Sequence, residues 1–321
     1  MNDAADRDGA ADWSDADHPD AVVVGCGPAG AAASIFLARY GLDTVVFDRG
    51  TESLDRCAFL GNYPGFPAGI DIETFRTMLR EHAREAGCHL VDDLVESVAD
   101  AVATDGDEDA DVSARFAVET QDGRHVLADR VVAATRYDGE YLRPLGRDAM
   151  FETHEHGGEE HEYFDPEYPD ADGRTPVEGL YVASPAGQRD VQAVVAAGHG
   201  AHVARSLLED RRVERGYPRE LARHYDWLRP DTEFEGEWSD RERWRRRFDE
   251  RLADDHETSD ERLADLREEY VDRAFDTHRS DEAVADLTDR AHRRLLNHVD
   301  DDAILERAAE IESERANVDD A

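Results

Sequence analysis

The sequence predicts an α/β fold followed by a C-terminal α-helical region. Three observations carry this. Near the N-terminus, the apolar run Ala21-Val22-Val23-Val24 leads into Gly25-Cys26-Gly27-Pro28-Ala29-Gly30 and then into an Ala-rich segment. Further short apolar runs, Leu42 to Asp48, Arg130 to Thr135 and Gly179 to Ser184, alternate with longer segments of helical period. Toward the C-terminus the apolar residues fall only at helical spacing.

The first unit reads as strand, tight turn, helix over roughly residues 20–50. Gly25 permits the tight turn, Gly27 lets the backbone approach a pyrophosphate, and Gly30 lets the helix pack close to the strand. Pro28 and Ala29 complete the turn, and a pyrophosphate would sit on the helix N-terminus, where unpaired N–H groups and the dipole favour negative charge. Asp48, at the end of the second strand, is placed to hold ribose hydroxyls. These features predict a Rossmann-like domain that binds a dinucleotide. Asp48 suits NAD over NADP because a carboxylate repels a 2′-phosphate, and Arg49 beside it works the other way.

The stretch from Thr51 to Ile70 is a loop rich in Gly, Pro and aromatics. Asp71 to Ala86 follows as a helix with Phe75, Met78, Leu79 and His82 on one face. Cys88 to Ala103 and Ala114 to Thr120 read as strands broken by the acidic turn Asp105-Gly106-Asp107. His125 to Ala128 is a hairpin partner after Asp122-Gly123. Residues 137–176 show little periodicity and form an irregular bridge. A helix with small residues on one face spans Gln192 to Leu208. Residues 1–19 are Asp- and Ala-rich and expected to be disordered. The domain expectation is therefore a tail over 1–19, a nucleotide-binding domain over 20–210, and a helical region over 211–321. In that last region Trp244, Phe248 and Leu252 mark one helix. Thr258-x-x-Glu261 is a capping box opening a second, with Leu263, Leu266, Tyr270 and Phe275. Val284, Leu287, Ala291 and Leu295 mark a third, and Ile304, Ala308 and Ile311 a shorter fourth.

Composition narrows the function. The 321 residues carry 77 acidic against 37 basic side chains, a net charge of −40, and all the basic residues are arginine. Such self-repulsion destabilises a compact state unless salt screens it. With the absence of lysine it looks like the proteome of an extremely halophilic archaeon. Lysine-dependent Schiff-base and Walker chemistry is excluded. Cys26, Cys57 and Cys88 form no C-x-x-C pair. No apolar run is long enough to span a membrane and no signal peptide is visible, so the expected location is the cytoplasm. No basic face suggests nucleic acid.

Several segments together resemble the FAD domain of thioredoxin-reductase-like FAD/NAD(P)-binding oxidoreductases: Val22 to Asp48, Asn62-Tyr63-Pro64-Gly65-Phe66-Pro67, Val131 to Thr135, and Gly179 to Leu208, in that family's order. The resemblance implies FAD, with its pyrophosphate on Gly25, Gly27 and Gly30 and its adenosine ribose on Asp48, where the family has Glu. It places Asn62 on the flavin side and Gln192 with Ala193 at a helix start under the ring, and Thr135 among the cofactor-binding residues. A helix N-terminus there would stabilise the anion formed on flavin reduction.

The departures are specific. The family's Ala-Thr-Gly reads Ala134-Thr135-Arg136. Its ribityl-holding Gly-Asp is replaced near Ser184-Pro185, and its Gly-Gly-Gln falls near Thr51-Glu52-Ser53. The NADPH domain between the two FAD segments and its redox Cys pair are missing. The resemblance therefore implies a FAD-dependent oxidoreductase without dithiol chemistry, reduced by NAD(P)H docking on the flavin or by a protein electron carrier. The alternative from another class is a non-catalytic dinucleotide-binding module whose helical tail engages a protein partner.

Three other constellations carry candidate chemistry. His154, His156 and His161 lie among acids, but their spacing matches no standard zinc signature, so a solvated loop and no metal is expected. His199 and His202 sit on the helix after Gln192 and read as packed or surface side chains. Trp227, Trp238 and Trp244, interleaved with Arg241, Arg243, Arg245, Arg246 and Arg247, have the composition of a base-stacking surface. The surrounding acids favour instead a helical layer that covers the nucleotide domain or builds a homodimer.

Overall fold

A five-stranded, all-parallel sheet organises the N-terminal unit. The computed structural model describes residues 18–50, 53–101, 114–136, 139–156, 159–184, 192–252, 256 and 258–319. In chain order these residues form β1 (Ala21–Val24), α1 (Pro28–Arg39), β2 (Thr44–Phe47), β3 (Phe59–Leu60), β4 (Ile70–Asp71), α2 (Ile72–Glu85), β5 (His89–Val91), β6 (Val95–Asp100), β7 (Phe116–Thr120), β8 (His125–Ala128), β9 (Val131–Ala133), β10 (Phe151–His156), β11 (Glu159–Phe164), β12 (Leu180–Val182) and α3 (Ala193–Glu214). The sheet order is β12-β9-β1-β2-β5, with Val23 of β1 in register with Val46 of β2 and Val132 of β9. Its strands read as continuous apolar runs because both faces are covered.

The pleat divides those runs between two layers. Val23, Val46, Val132 and Tyr181 point to the helical side, where they meet Ile35 and Leu37 of α1 and Val203 and Leu207 of α3. Val22, Val24, Phe47, Val131 and Val182 point to the opposite side. There they pack on the antiparallel sheet β6-β7-β8 and on Tyr141, Leu142 and Leu145 of the 3₁₀ turn Glu140–Leu145. The small-residue face of α3 follows from the first layer: a Cβ added at Gly200 would stand 2.0 Å from the carbonyl oxygen of Ala29 on α1. The two helices cross too closely there for any side chain.

The structure corrects several sequence expectations. The strand read from Cys88 to Ala103 is two strands in different sheets, β5 in the parallel sheet and β6 in the antiparallel one. Between them the buried carboxylate of Asp93 accepts from the backbone N–H of Leu94 (2.7 Å) and of Asp122 (3.3 Å), turning the chain from one layer to the next. On α2, Phe75, Met78 and Leu79 pack against the core as the periodicity predicts, with Ile72 and Ala83 buried beside them, and of the expected face His82 alone is exposed. Within the irregular bridge lies an antiparallel ribbon, β10 and β11, with Phe151 opposite Phe164 and His154 opposite His161. Its central residues are polar on both faces, which is why no apolar period announced it. The Asp105-Gly106-Asp107 turn and the tail expectation for residues 1–17 fall outside the described residues, whereas His18 faces Asp129 at 3.3 Å.

A second compact unit begins at Gly216. It comprises α4 (Arg219–Ala222), β13 (Arg229–Pro230), α5 (Arg241–Asp249), α6 (Asp260–Asp276), β14 (His278–Arg279), α7 (Asp281–Leu296) and α8 (Asp301–Asp319). Ser259, not Thr258, caps α6, accepting from the Arg262 N–H at 3.3 Å; Thr258 donates its hydroxyl to Gly216 O instead. Leu252 lies beyond the end of α5, and α8 is longer than α7 rather than shorter. Phe248 of α5 packs edge-on against Tyr270 of α6, over the buried Leu266 and Val271. Part of the Trp–Arg series is engaged internally, whereas Trp227 and Arg246 are exposed. Arg243 covers the Trp238 ring at 3.7 Å, Trp238 packs on Trp244, and Arg245 grips Glu268 through two bonds of 2.7 Å. Those bonds hold the Glu268 carboxyl down at about 2.

Candidate functional site

The carboxyl ends of β1, β2 and β9 open into a cleft of about 380 Å³. That is where open parallel sheets place their ligands. Gly25 adopts φ +98°, a conformation only glycine takes at ease, and a Cβ there would lie 3.1 Å from the Ala134 carbonyl oxygen. Gly27 caps α1 with no side-chain acceptor, and Pro28 supplies no N–H at the first helical position. The remaining leading N–H groups of α1 therefore face the cleft without a side-chain partner. Gly30 does not line the cleft. Its role is packing: a Cβ there would meet the Gly25 carbonyl oxygen at 1.9 Å and drive the helix off the turn.

The other expected site residues gather around this loop. Gly25, Gly27, Pro28, Ala29, Asp48, Arg49, Thr135, Gln192 and Ala193 all line the cleft. Asn62 does not, yet its Nδ2 donates to Gln192 Oε1 at 2.7 Å, joining two residues 130 positions apart. Thr135 Oγ1 lies 3.1 Å from the hydroxyl of the buried Tyr141. Gln192 precedes α3 without capping it, so a second uncapped helix start borders the cleft. Residues 51–52 and 185–191, which hold most of the departures from the family pattern, lie outside the described residues.

Asp48 is where the structure adds most to the sequence. Its side chain is 4% exposed and both oxygens are engaged: Arg80 of α2 pairs with Oδ2, and the Gly50 N–H donates to Oδ1 at 3.2 Å. Arg80 also pairs with Asp92. Burial disfavours the guanidinium charge, but the Asp92 hydrogen bond and the field of Asp48 outweigh it and hold the Arg80 pKa above its ordinary value. Sequence reasoning passed over Arg80. The signal was Arg76 and Arg80 at i, i+4 on a helix that returns to the end of β2; Arg76 donates to the Gly50 carbonyl and to Asp55 (2.8 Å). Tyr141, Arg56 and Asp93 also line the cleft without having been singled out.

The three thiols differ in access. Cys26 and Cys88 are buried, whereas Cys57 is exposed at the cleft wall. Burial pushes the Cys88 thiol up to about 12, and its S–H donates to the Ser34 carbonyl oxygen at 3.3 Å. Under mildly alkaline native conditions a thiol reagent should therefore titrate Cys57 fast and the other two only on unfolding. Rapid reaction of Cys88 in the folded protein would contradict its burial. The same shift has a stability consequence. Between pH 9.0 and about 12 the unfolded state releases the Cys88 proton and the native state keeps it, so this contribution is full below that window and is lost as pH rises through it.

Among the described residues no group of three or more His, Cys, Asp or Glu is arranged to hold a metal ion. His154 instead contacts Glu152 at 2.8 Å, and the side chain of His156 lies outside the described set. His202 pairs with Asp172 at 2.7 Å, and His199 is buried on α3 away from the cleft lining. No helix among the described residues is long and apolar enough to cross a membrane.

Comparison with known proteins agrees with the glycine loop. Residues 19–135 match the family model described as pyridine nucleotide-disulphide oxidoreductase. A thioredoxin reductase of Aquifex aeolicus (strain VF5) is 30% identical over 118 residues, which are 36% of this chain and 33% of that protein. The match thus spans about a third of the length of that curated relative. Similar solved structures include a thioredoxin reductase from Gloeobacter violaceus (18% identity, 66% of this chain and 98% of that one, TM-score 0.46). Another is the T. acidophilum thioredoxin reductase (16% identity, 60% and 99%, TM-score 0.45). Over residues 19–135 the chain is similar to the pyridine nucleotide-disulphide oxidoreductases, thioredoxin reductase among them.

Proposed function

We propose that this protein is a FAD-dependent oxidoreductase that works without dithiol chemistry. The observation that carries the reading is the positive-φ Gly25 turn feeding the uncapped N-terminus of α1, inside a segment that matches the pyridine nucleotide-disulphide oxidoreductases. The adenosine and pyrophosphate half of a dinucleotide fits these residues. Gly25 and Gly27 bring backbone N–H groups to the phosphates, and Gly30 keeps α1 in register with them. When bound, FAD would supply the electron-carrying chemistry. The chain's own contribution on the ring side is the start of α3 at Gln192 and Ala193, whose dipole favours negative charge, with Asn62 holding Gln192 in place. The electron donor in this reading is NAD(P)H or a protein carrier. The expected setting is a salt-rich cytoplasm, where screening relieves a net charge of −40.

A second reading is supported by the C-terminal unit. None of α7 is buried, and Val284, Leu287, Leu295 and Leu296 stand exposed along it. Apolar residues so placed on an acidic chain suit contact with another protein or a second copy. In that case the nucleotide cleft would serve binding rather than catalysis.

The absorbance spectrum of protein purified in molar salt, before and after adding FAD and removing the excess, separates the two. Stoichiometric flavin bands that bleach with a reduced nicotinamide or ferredoxin-type donor are expected of the enzyme. A colourless protein that retains no added FAD would leave only the binding module.

A further inference from the structure

The charge of the cleft is the reverse of the charge of the chain. Acids outnumber arginines about two to one overall. Among the described residues lining the cleft, however, Arg49, Arg56 and Arg136 stand against Asp48 and Asp93. Each of those two acids also has a cation beside it from outside the lining. Arg80 pairs with Asp48, and Arg124 Nε lies 3.5 Å from Asp93 Oδ2. By side-chain count the described lining thus carries one more cation than anion, in a protein that is otherwise strongly anionic, and suits an anionic ligand.

The extra charge has a definite place. A carboxylate at the end of the second strand selects an unmodified ribose in two ways: it accepts from the hydroxyls and it repels a phosphate in their position. Asp48 is weakened in the second. The Arg80 guanidinium, shared with Asp92, offsets its charge, and Arg80 and the Gly50 N–H each take one acceptor site on its two oxygens. The next residue, Arg49, lines the cleft, is exposed, and has no pairing partner among the described residues. An arginine beside this strand end is the group that accommodates a 2′-phosphate, through its planar fork of donors.

We infer that the cleft binds a dinucleotide bearing a phosphate on its adenosine ribose, the NADP(H) class, in competition with FAD, and that Arg49 is the residue that selects it. This rests on the dinucleotide reading of the cleft and not on which dinucleotide is catalytic. The cleft has a single glycine loop, so the two ligands exclude one another there.

The test is calorimetric titration of the full chain in molar KCl with NADP⁺, NAD⁺ and FAD, for the parent and for Arg49→Ala. NADP⁺ should bind about tenfold or more tightly than NAD⁺, the scale of charge-assisted hydrogen bonds to one phosphate, and should compete with FAD. In Arg49→Ala that preference should collapse while NAD⁺ affinity stays within about twofold. Because Arg49 is exposed, its replacement should leave the circular dichroism unchanged. If FAD or NAD⁺ binds but NADP⁺ is no tighter than NAD⁺, or the preference survives in Arg49→Ala, the inference is overturned and the dinucleotide reading stands. If none of the three binds, the dinucleotide reading itself falls and takes the inference with it.

Discussion

Replacing Gly200 by alanine should cost the N-terminal unit about 3 kcal/mol, the upper range for overpacking a close contact. The equivalent change two residues earlier, Gly198→Ala, should be neutral or stabilising by up to about 1 kcal/mol. The two glycines share a helix and differ in what faces them. A Cβ at Gly198 meets nothing within 4 Å, whereas one at Gly200 lies 2.0 Å from Ala29 O and 2.7 Å from Ala29 C. Both atoms at Gly200 belong to the backbone of α1, so no flexible side chain can move aside. The only relief is to separate α1 from α3. Because Ala29 belongs to the first turn of α1, that movement also shifts the N–H groups aimed into the cleft. Gly200→Ala should therefore lose stability and dinucleotide affinity together, although Gly200 does not line the cleft. Urea denaturation of the pair checks this. Equal midpoints for the two variants would show that α1 and α3 do not cross as closely as described.

The contrast between these glycines marks where sequence reasoning succeeds. The loop from Gly25 to Gly30 was legible because its constraint is local: a positive φ, an uncapped helix start and a close strand–helix approach all fall within six residues. The parallel strands were legible because a sheet covered on both faces needs unbroken apolar runs. Gly200 was visible only as one of several small residues, since its partner Ala29 is on a distant helix. Arg80 was missed for the same reason, lying 32 residues from Asp48. The β10–β11 ribbon escaped because alternation identifies a strand only when one face is apolar; Gly157-Gly158 between two polar runs was the signal left unused. On the ring side, Asn62 and Gln192 were inferred from the resemblance, and their mutual hydrogen bond is a structural addition.

Arg80→Met should destabilise the protein by about 3 kcal/mol, in the range for breaking a buried ion pair while leaving one charge behind. Methionine keeps an unbranched aliphatic stem of similar length, so the loss isolates the guanidinium. The two acids it leaves are not equal. Asp92 is 76% exposed and is solvated again at little cost, but Asp48, at 4%, keeps only the Gly50 N–H among described partners. Removing the stranded charge should therefore rescue the variant: Arg80→Met/Asp48→Asn should recover most of the loss, with a coupling of about 2 kcal/mol in a double-mutant cycle. A coupling near zero would mean that Arg80 stabilises α2 by packing alone. The same pair predicts a change in ligand choice. With Arg80 gone, the Asp48 carboxylate faces the adenosine ribose uncompensated, so any 2′-phosphorylated dinucleotide should weaken far more than one with free hydroxyls. In the doubly substituted protein that penalty should disappear. Stability and specificity thus hang on one guanidinium that sits between α2 and the end of β2, because the charge it neutralises is the one a ribose ligand would meet.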